Sequence, residues 1–203
     1  MSILAEDLDR ISHAVRAAED KTSGEIVCVL AQSSTGYTAL PVAMAAVAAL
    51  ALPWLLVALT SMTVYRILSL QVATFVVLSI LFCLPRVRVA LLPRRARRRL
   101  AYRFAMEQFT TRGIAQKKDR CGILIFVSLA ERYARIIADD GISAHVPQSA
   151  WQAAVDALVE HARQDRVVDG FVAAIGMCGN ELARHFPRTE PKGEELPDRV
   201  YLV

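Results

Sequence analysis

The residues of this 203-residue chain whose types and spacing best suit chemistry are Asp139 and Asp140, followed by Gly141. Paired carboxylates beside a flexible glycine at a strand end suit a hard cation such as Ca²⁺, because loops at the strand ends of open α/β sheets carry ligands. The same residues also suit a plain turn, with Asp capping the backbone and Gly supplying a positive φ. Glu25, at the start of a first predicted strand, and Asp119, before a second, would add carboxylates if those ends converge. Since Ca²⁺ takes six or more oxygens and two are assured, weak binding is the most this pattern predicts.

Nothing catalytic accompanies the pair. The chain has no G-x-x-x-x-G-K-[ST], no G-x-G-x-x-G after a strand, no G-x-S-x-G and no H-E-x-x-H. Ser128 closes a strand without an identifiable His and Asp arrangement. His13, His145, His161 and His185 are scattered over different elements with no ligand spacing, and Glu131-Arg132 falls in a strand connection, where an exposed turn is the simpler reading. Trp151 reads as core. A phosphatase would need a covalent nucleophile or a two-metal cluster, and neither is evident.

The elements that must position these residues follow an α/β pattern. Leu4, Leu8, Ile11 and Val15 recur at helical steps, predicting a helix over 3–20 with Ser2 as its cap and Thr22 to Gly24 as its end. Ile26 to Leu30 is an unbroken apolar run, as expected of a central strand covered on both faces. Residues 94–112 predict a helix with Leu100, Phe104 and Met106 toward the core and Gly113 as its stop. Gly122 to Leu129 and Tyr133 to Ala138 are two further strands, which their three-residue connection makes antiparallel. Two more helical faces follow. The first carries Trp151, Val155, Leu158, Val159 and Ala162 after an opening at Pro147 to Ser149; the second carries Val168, Val172, Ile175, Gly179, Leu182 and Phe186, with Asp169 in its first turn. Helices before, between and after the strands predict a layered α/β sandwich.

A long apolar stretch interrupts this pattern. Between Ala39 and Leu84 the only charged residue is Arg66. Leu40 to Leu59 and Ile67 to Leu84 each approach the roughly 20 residues that cross a bilayer, and Ser61, Thr63 and Arg66 mark the turn between them. A soluble hairpin would need a polar face, and neither segment has one. Pro53 lies inside the first segment, where a membrane helix tolerates it with a kink. The stretch is too long and too far from the amino terminus for a cleaved signal peptide.

Eight arginines follow: Arg86, Arg88, Arg94, Arg95, Arg97, Arg98, Arg99 and Arg103. Basic residues in this window hold a flank on the cytoplasmic side, so both termini are expected in the cytoplasm. Arg94, Arg95, Arg97, Arg98 and Arg99 are candidates for contact with anionic lipid headgroups. Nucleic acid is the poorer match, because no aromatic stacking residues alternate with the run. The net charge of +4 owes much to these arginines. Cys28, Cys83, Cys121 and Cys178 have no C-x-x-C or zinc-like spacing, and reduced packing thiols are the expectation in the cytoplasm.

Taken together, Thr22-Ser23-Gly24-Glu25-Ile26-Val27, the run from Gly122 to Tyr133, Ile136 to Ile142 with its Asp139 and Gly141, Trp151, Asp169-Gly170-Phe171 and Glu195-Leu196-Pro197-Asp198 resemble the TPM-domain family. The resemblance covers the soluble part, and the segment from Gly122 to Ile142 is its most specific element. It implies a three-layer α/β/α sandwich, here with an inserted transmembrane helical hairpin. The family contains thylakoid-lumen proteins linked to photosystem II repair and a nematode receptor-accessory protein. Its members are described as weak acid phosphatases, calcium binders and assembly or repair factors for membrane complexes. Familiar lumenal members have an export signal before the domain and often a single anchor after it. Here the anchor interrupts the domain, and its charges place that domain in the cytoplasm.

The expected organisation is a discontinuous α/β domain of residues 1–38 and 91–203 around a hairpin unit of 39–90, in a bacterial inner membrane. The expected function is that of a membrane-tethered accessory domain, non-catalytic, that binds a membrane-protein partner and touches lipid. The alternative is a metal-dependent phosphatase-like hydrolase at Asp139.

Overall fold

A run of seven residues buried at every position needs cover on both faces, and the strand β1 (Glu25–Ala31) has it. The computed structural model describes residues 5–34, 39–84, 87, 92–114, 120–188 and 200–203. Ser2, Leu4, Arg86, Arg88, Asp119 and the Glu195 to Asp198 segment lie outside the described residues. The chain divides into two compact units, one of residues 1–32 and 101–203 and one of 33–100.

In the first unit the sheet has the order β3-β2-β1-β4. β1 pairs in parallel with β2 (Gly122–Ser128), and β2 pairs antiparallel with β3 (Tyr133–Ala138), as the short connection requires. The fourth strand, β4 (Val200–Leu202), was not expected. It lies parallel to β1 with Cys28 opposite Val200, and Arg112 stacks 3.5 Å from the centre of the Tyr201 ring. β3 is an edge strand, and its outer carbonyls at Ile136 and Ala138 accept hydrogen bonds from the Gln148 and Ser143 side chains.

Strand alternation divides the side chains between two cores. Ile26, Cys28, Leu30, Ile123 and Ile125 face α1 (Ala5–Glu19), α6 (Gln152–Arg163) and α7 (Val167–His185). Val27, Val29, Leu124 and Phe126 face α4 (Arg94–Thr111). Helices therefore cover both faces, three on one and one on the other. α1 buries Ile11, Val15 and Ala18, and a Cβ on Gly179 of α7 would stand only 2.6 Å from that of Ala18, so these helices approach through small residues. Arg10 of α1 and Asp169 in the first turn of α7 pair at 2.8 Å.

The buried face of α4 differs from the expected one. Ala101, Ala105 and Phe109 are buried, Phe104 packs beside them, and Met106 is exposed. Small residues at a four-residue spacing let the helix lie close to the sheet, whereas the larger Leu100 sits half-buried beyond them. Gly113 ends the helix with φ 73°, a conformation only glycine adopts without strain.

The second unit holds α2 (Ala39–Leu59) and α3 (Val64–Cys83), packed against each other. Ala45, Ala49 and Ile67 are buried in this pair. Their outer surfaces are predominantly apolar, with Val47, Leu55, Val72 and Ile80 all more than half exposed.

Candidate functional site

Three separate segments meet at one end of the sheet. Glu25 opens β1 opposite Gly122, which opens β2, while Asp139 follows β3 and donates its N–H to the Gly122 carbonyl at 2.9 Å. The three residues thus form one row across three strands, and alternation turns Glu25 and Asp139 to the face of Val27 and Ile137. Two strand spacings separate the carboxylate-bearing backbones by about 10 Å. Gly122 leaves the middle of the row without a side chain. A Cβ there would stand 2.4 Å from Ile114 Cγ2, which covers the gap.

Both carboxylates of the row are buried, Glu25 at 6% and Asp139 at 5% exposure. Asp139 caps the short helix α5 (Asp140–Ser143), its Oδ1 accepting from the Asp140 N–H at 2.7 Å. Its Oδ2 is buried with no hydrogen-bond partner among the described residues. That oxygen is the notable chemical feature of the site, since a buried acceptor left unmade costs about 1–3 kcal/mol. Asp140 points the other way, with its side chain 85% exposed and 2.7 Å from Arg120 Nη1. Gly141 lies inside the helix and takes no positive φ.

Glu25, whose convergence the sequence leaves open, shares the row with Asp139, while Asp140 turns away toward Arg120. As a Ca²⁺ site the described donors fall short of the six to eight oxygens the ion takes. Among the described residues no group of three or more His, Cys, Asp or Glu side chains could hold a metal. The row depends on the register of three distant segments, so only the Asp capping signal at 139 was readable in advance.

The remaining reactive side chains are accounted for locally. Ser128, closing β2, donates to Glu131 Oε2 in the strand connection, both buried. His161 bonds its own helix at the Ala157 carbonyl, and His145 meets the Gly141 carbonyl and the edge of Phe186. Burial pushes the Cys178 thiol up to about 12 and the Cys28 thiol well above its usual value, the latter with a smaller contribution from Cys178. Both remain neutral packing groups. Trp151 is core, at 1% exposure.

The arginine candidates open α4. Arg94, Arg95, Arg98 and Arg99 are exposed, and Arg97 is half-buried with its Nε donating to the Leu92 carbonyl at 2.9 Å. The first turn of that helix carries no acidic residue.

The row, the strand order and the capped turn after β3 all fall within or beside a segment that resembles known proteins. Residues 85–181 match the family model described as the TPM domain. Over those residues the chain is similar to the TPM domain. A solved structure, the BA42 protein from the psychrophilic bacterium Bizionia argentinensis, is similar over 100% of this chain and 97% of its own, with a TM-score of 0.63 at 20% identity. At that identity the likeness concerns the fold. No curated protein matches the chain. β1 and α1 come from before the hairpin, ahead of the matched segment.

Proposed function

We propose that this protein is a TPM domain tethered to the bacterial inner membrane by its own helical hairpin, with the α/β unit and both termini in the cytoplasm, where it serves a membrane-protein partner as a non-catalytic accessory module. The observation that carries the reading is the pair of span-length helices. Pro41–Leu59 and Val64–Cys83 hold 19 and 20 residues, and only 11% and 6% of their apolar windows are buried. Side chains such as Leu50, Leu55, Val57 and Val72 would meet water in a soluble protein, whereas lipid accepts them. Trp54 and Tyr65 flank the turn at 82% and 86% exposure, residue types favoured at membrane–water interfaces. Arginines at the positive end of the α4 dipole repel it and each other, and anionic headgroups would relieve both.

The test is topological and chemical. Reporters fused at either terminus should behave as cytoplasmic, one inserted near Ser61 should be exported, and the protein should resist alkaline extraction. An exported carboxyl terminus would sink the reading. Purified protein should not turn over a generic phosphate ester.

A second reading, a metal-assisted phosphate-ester hydrolase, is favoured by the buried free oxygen of Asp139. It requires turnover that depends on added divalent ion and disappears in an Asp139→Ala, Asp140→Ala variant.

A further inference from the structure

The α/β unit carries a basic and aromatic surface that neither its core nor the Glu25 row uses. Tyr102, Arg103 and Met106 lie along the outer side of α4, Met106 three and four residues beyond the other two. All three are exposed. Arg135 on the edge strand β3 lies 4.8 Å from the centre of the Tyr102 ring, so a guanidinium of the sheet joins that of the helix. No carboxylate pairs with Arg103 or Arg135 among the described residues, and the helix contains one acidic residue, Glu107.

We infer that the Tyr102, Arg103 and Arg135 surface of the α/β unit docks on the phosphates of anionic lipid headgroups, holding the folded domain flat on the membrane rather than loose on its tether. The inference rests on the membrane anchoring proposed above and extends it from the arginines that open α4 to the sheet itself. Three features select a lipid surface as the occupant. Positive charge predominates, with Glu107 the one acidic residue of the helix, and planar guanidiniums bind phosphate bidentately. Tyr102 and Met106 add an aromatic and an apolar side chain of the kind that sits at headgroup depth. Only ten residues, 84–93, separate the second span from α4, a reach of at most about 35 Å, so the surface stays at high effective concentration over the bilayer.

The test uses the full chain reconstituted in nanodiscs of phosphatidylcholine alone or with a third of phosphatidylglycerol, each with a trace of phosphatidylglycerol bearing a photoreactive headgroup. In the anionic discs peptides covering 100–112 and 133–142 should be labelled, and an R103Q/R135Q variant should lose about fivefold per guanidinium removed. R103K/R135K should retain most of the label, and near-ultraviolet circular dichroism should match wild type in both variants. Labelling confined to 94–99, or undiminished in R103Q/R135Q, would overturn the docking while leaving the anchor intact. Failure of wild type to enter nanodiscs would remove the anchor and the docking with it. Protection of this face by a copurifying protein, without lipid label, would also overturn the inference.

Discussion

The two units of this chain are built from similar apolar side chains put to opposite use. In the α/β unit Phe126, Phe171, Ile125 and Leu158 are buried to 1% or less, and every residue of β1 and β2 is covered. In the hairpin unit Leu50, Leu55, Val57 and Val72 stand 57–67% exposed, and full burial is confined to a few positions such as Ala45 and Ala49. One unit is stabilised by removing apolar surface from water within the chain. The other leaves much of that surface exposed. Substitutions of equal chemistry should therefore have unequal consequences in the two.

The sharpest contrast comes from separating the units. Replacing residues 39–90 by a flexible linker should leave a soluble domain that melts cooperatively, since a long surface insertion costs only about 0.6 kcal/mol per doubling of loop length. Residues 90–203 alone should not melt cooperatively, because they lack β1, which pairs with both β2 and β4, and lack α1. Equal melting of the two proteins would show that β1 is dispensable.

A matched pair of truncations extends the comparison. In a Trp54→Phe background, where Trp151 is the remaining tryptophan, Phe171→Ala should cost about 3–5 kcal/mol in urea unfolding followed by fluorescence. Leu55→Ala, 57% exposed in the hairpin, should move the same transition by no more than about 0.5 kcal/mol. Comparable losses would mean that the exposed face of α2 is packed in the native assembly.

Two glycines sharpen the comparison within the α/β unit. Gly122→Ala pushes a methyl group into Ile114 and should cost about 1–3 kcal/mol. Gly176→Ala, on α7 with nothing within 4 Å of the added carbon, should stabilise by about 0.5–1 kcal/mol. Thermal melting of both single variants decides whether the gap in the Glu25 row is as closed as Ile114 makes it.

How much of this was legible in the sequence follows from the range of the interactions. Ile26 to Leu30 and the run from Gly122 declared themselves because burial on both faces leaves an unbroken apolar string. The hairpin declared itself by length. β4 did not, because three residues carry no periodicity and form a strand only by pairing with Cys28 to Leu30. The buried face of α4 was misassigned because Ala101 and Ala105 pack by closeness rather than by bulk. Glu25 and Asp139 could be named as candidates singly, but their common row exists only through a register that joins residues 25, 122 and 139.

The smallest expected effect falls on that row. Asp139 does two things, capping α5 through Oδ1 and holding Oδ2 buried without a hydrogen-bond partner among the described residues. Asp139→Asn keeps an acceptor for the Asp140 N–H, and its amide would fill the place of the free oxygen, so it should melt within about 1 kcal/mol of wild type. Asp139→Ala loses the cap, at about 0.5–2 kcal/mol, and regains part of it by removing an unsatisfied buried acceptor. In chelator the two variants should therefore lie close together. Added Ca²⁺ should stabilise wild type, and so raise its melting temperature, only if the row finds further oxygens, the stabilisation being about 2.7 kcal/mol at a hundredfold excess over Kd. A rise in wild type that both variants lose would make Asp139 a metal ligand and favour the hydrolase reading. Coincident curves at every Ca²⁺ concentration would leave Asp139 a helix cap, and the proposed docking face around Tyr102 and Arg135 the better place to look for the domain's work.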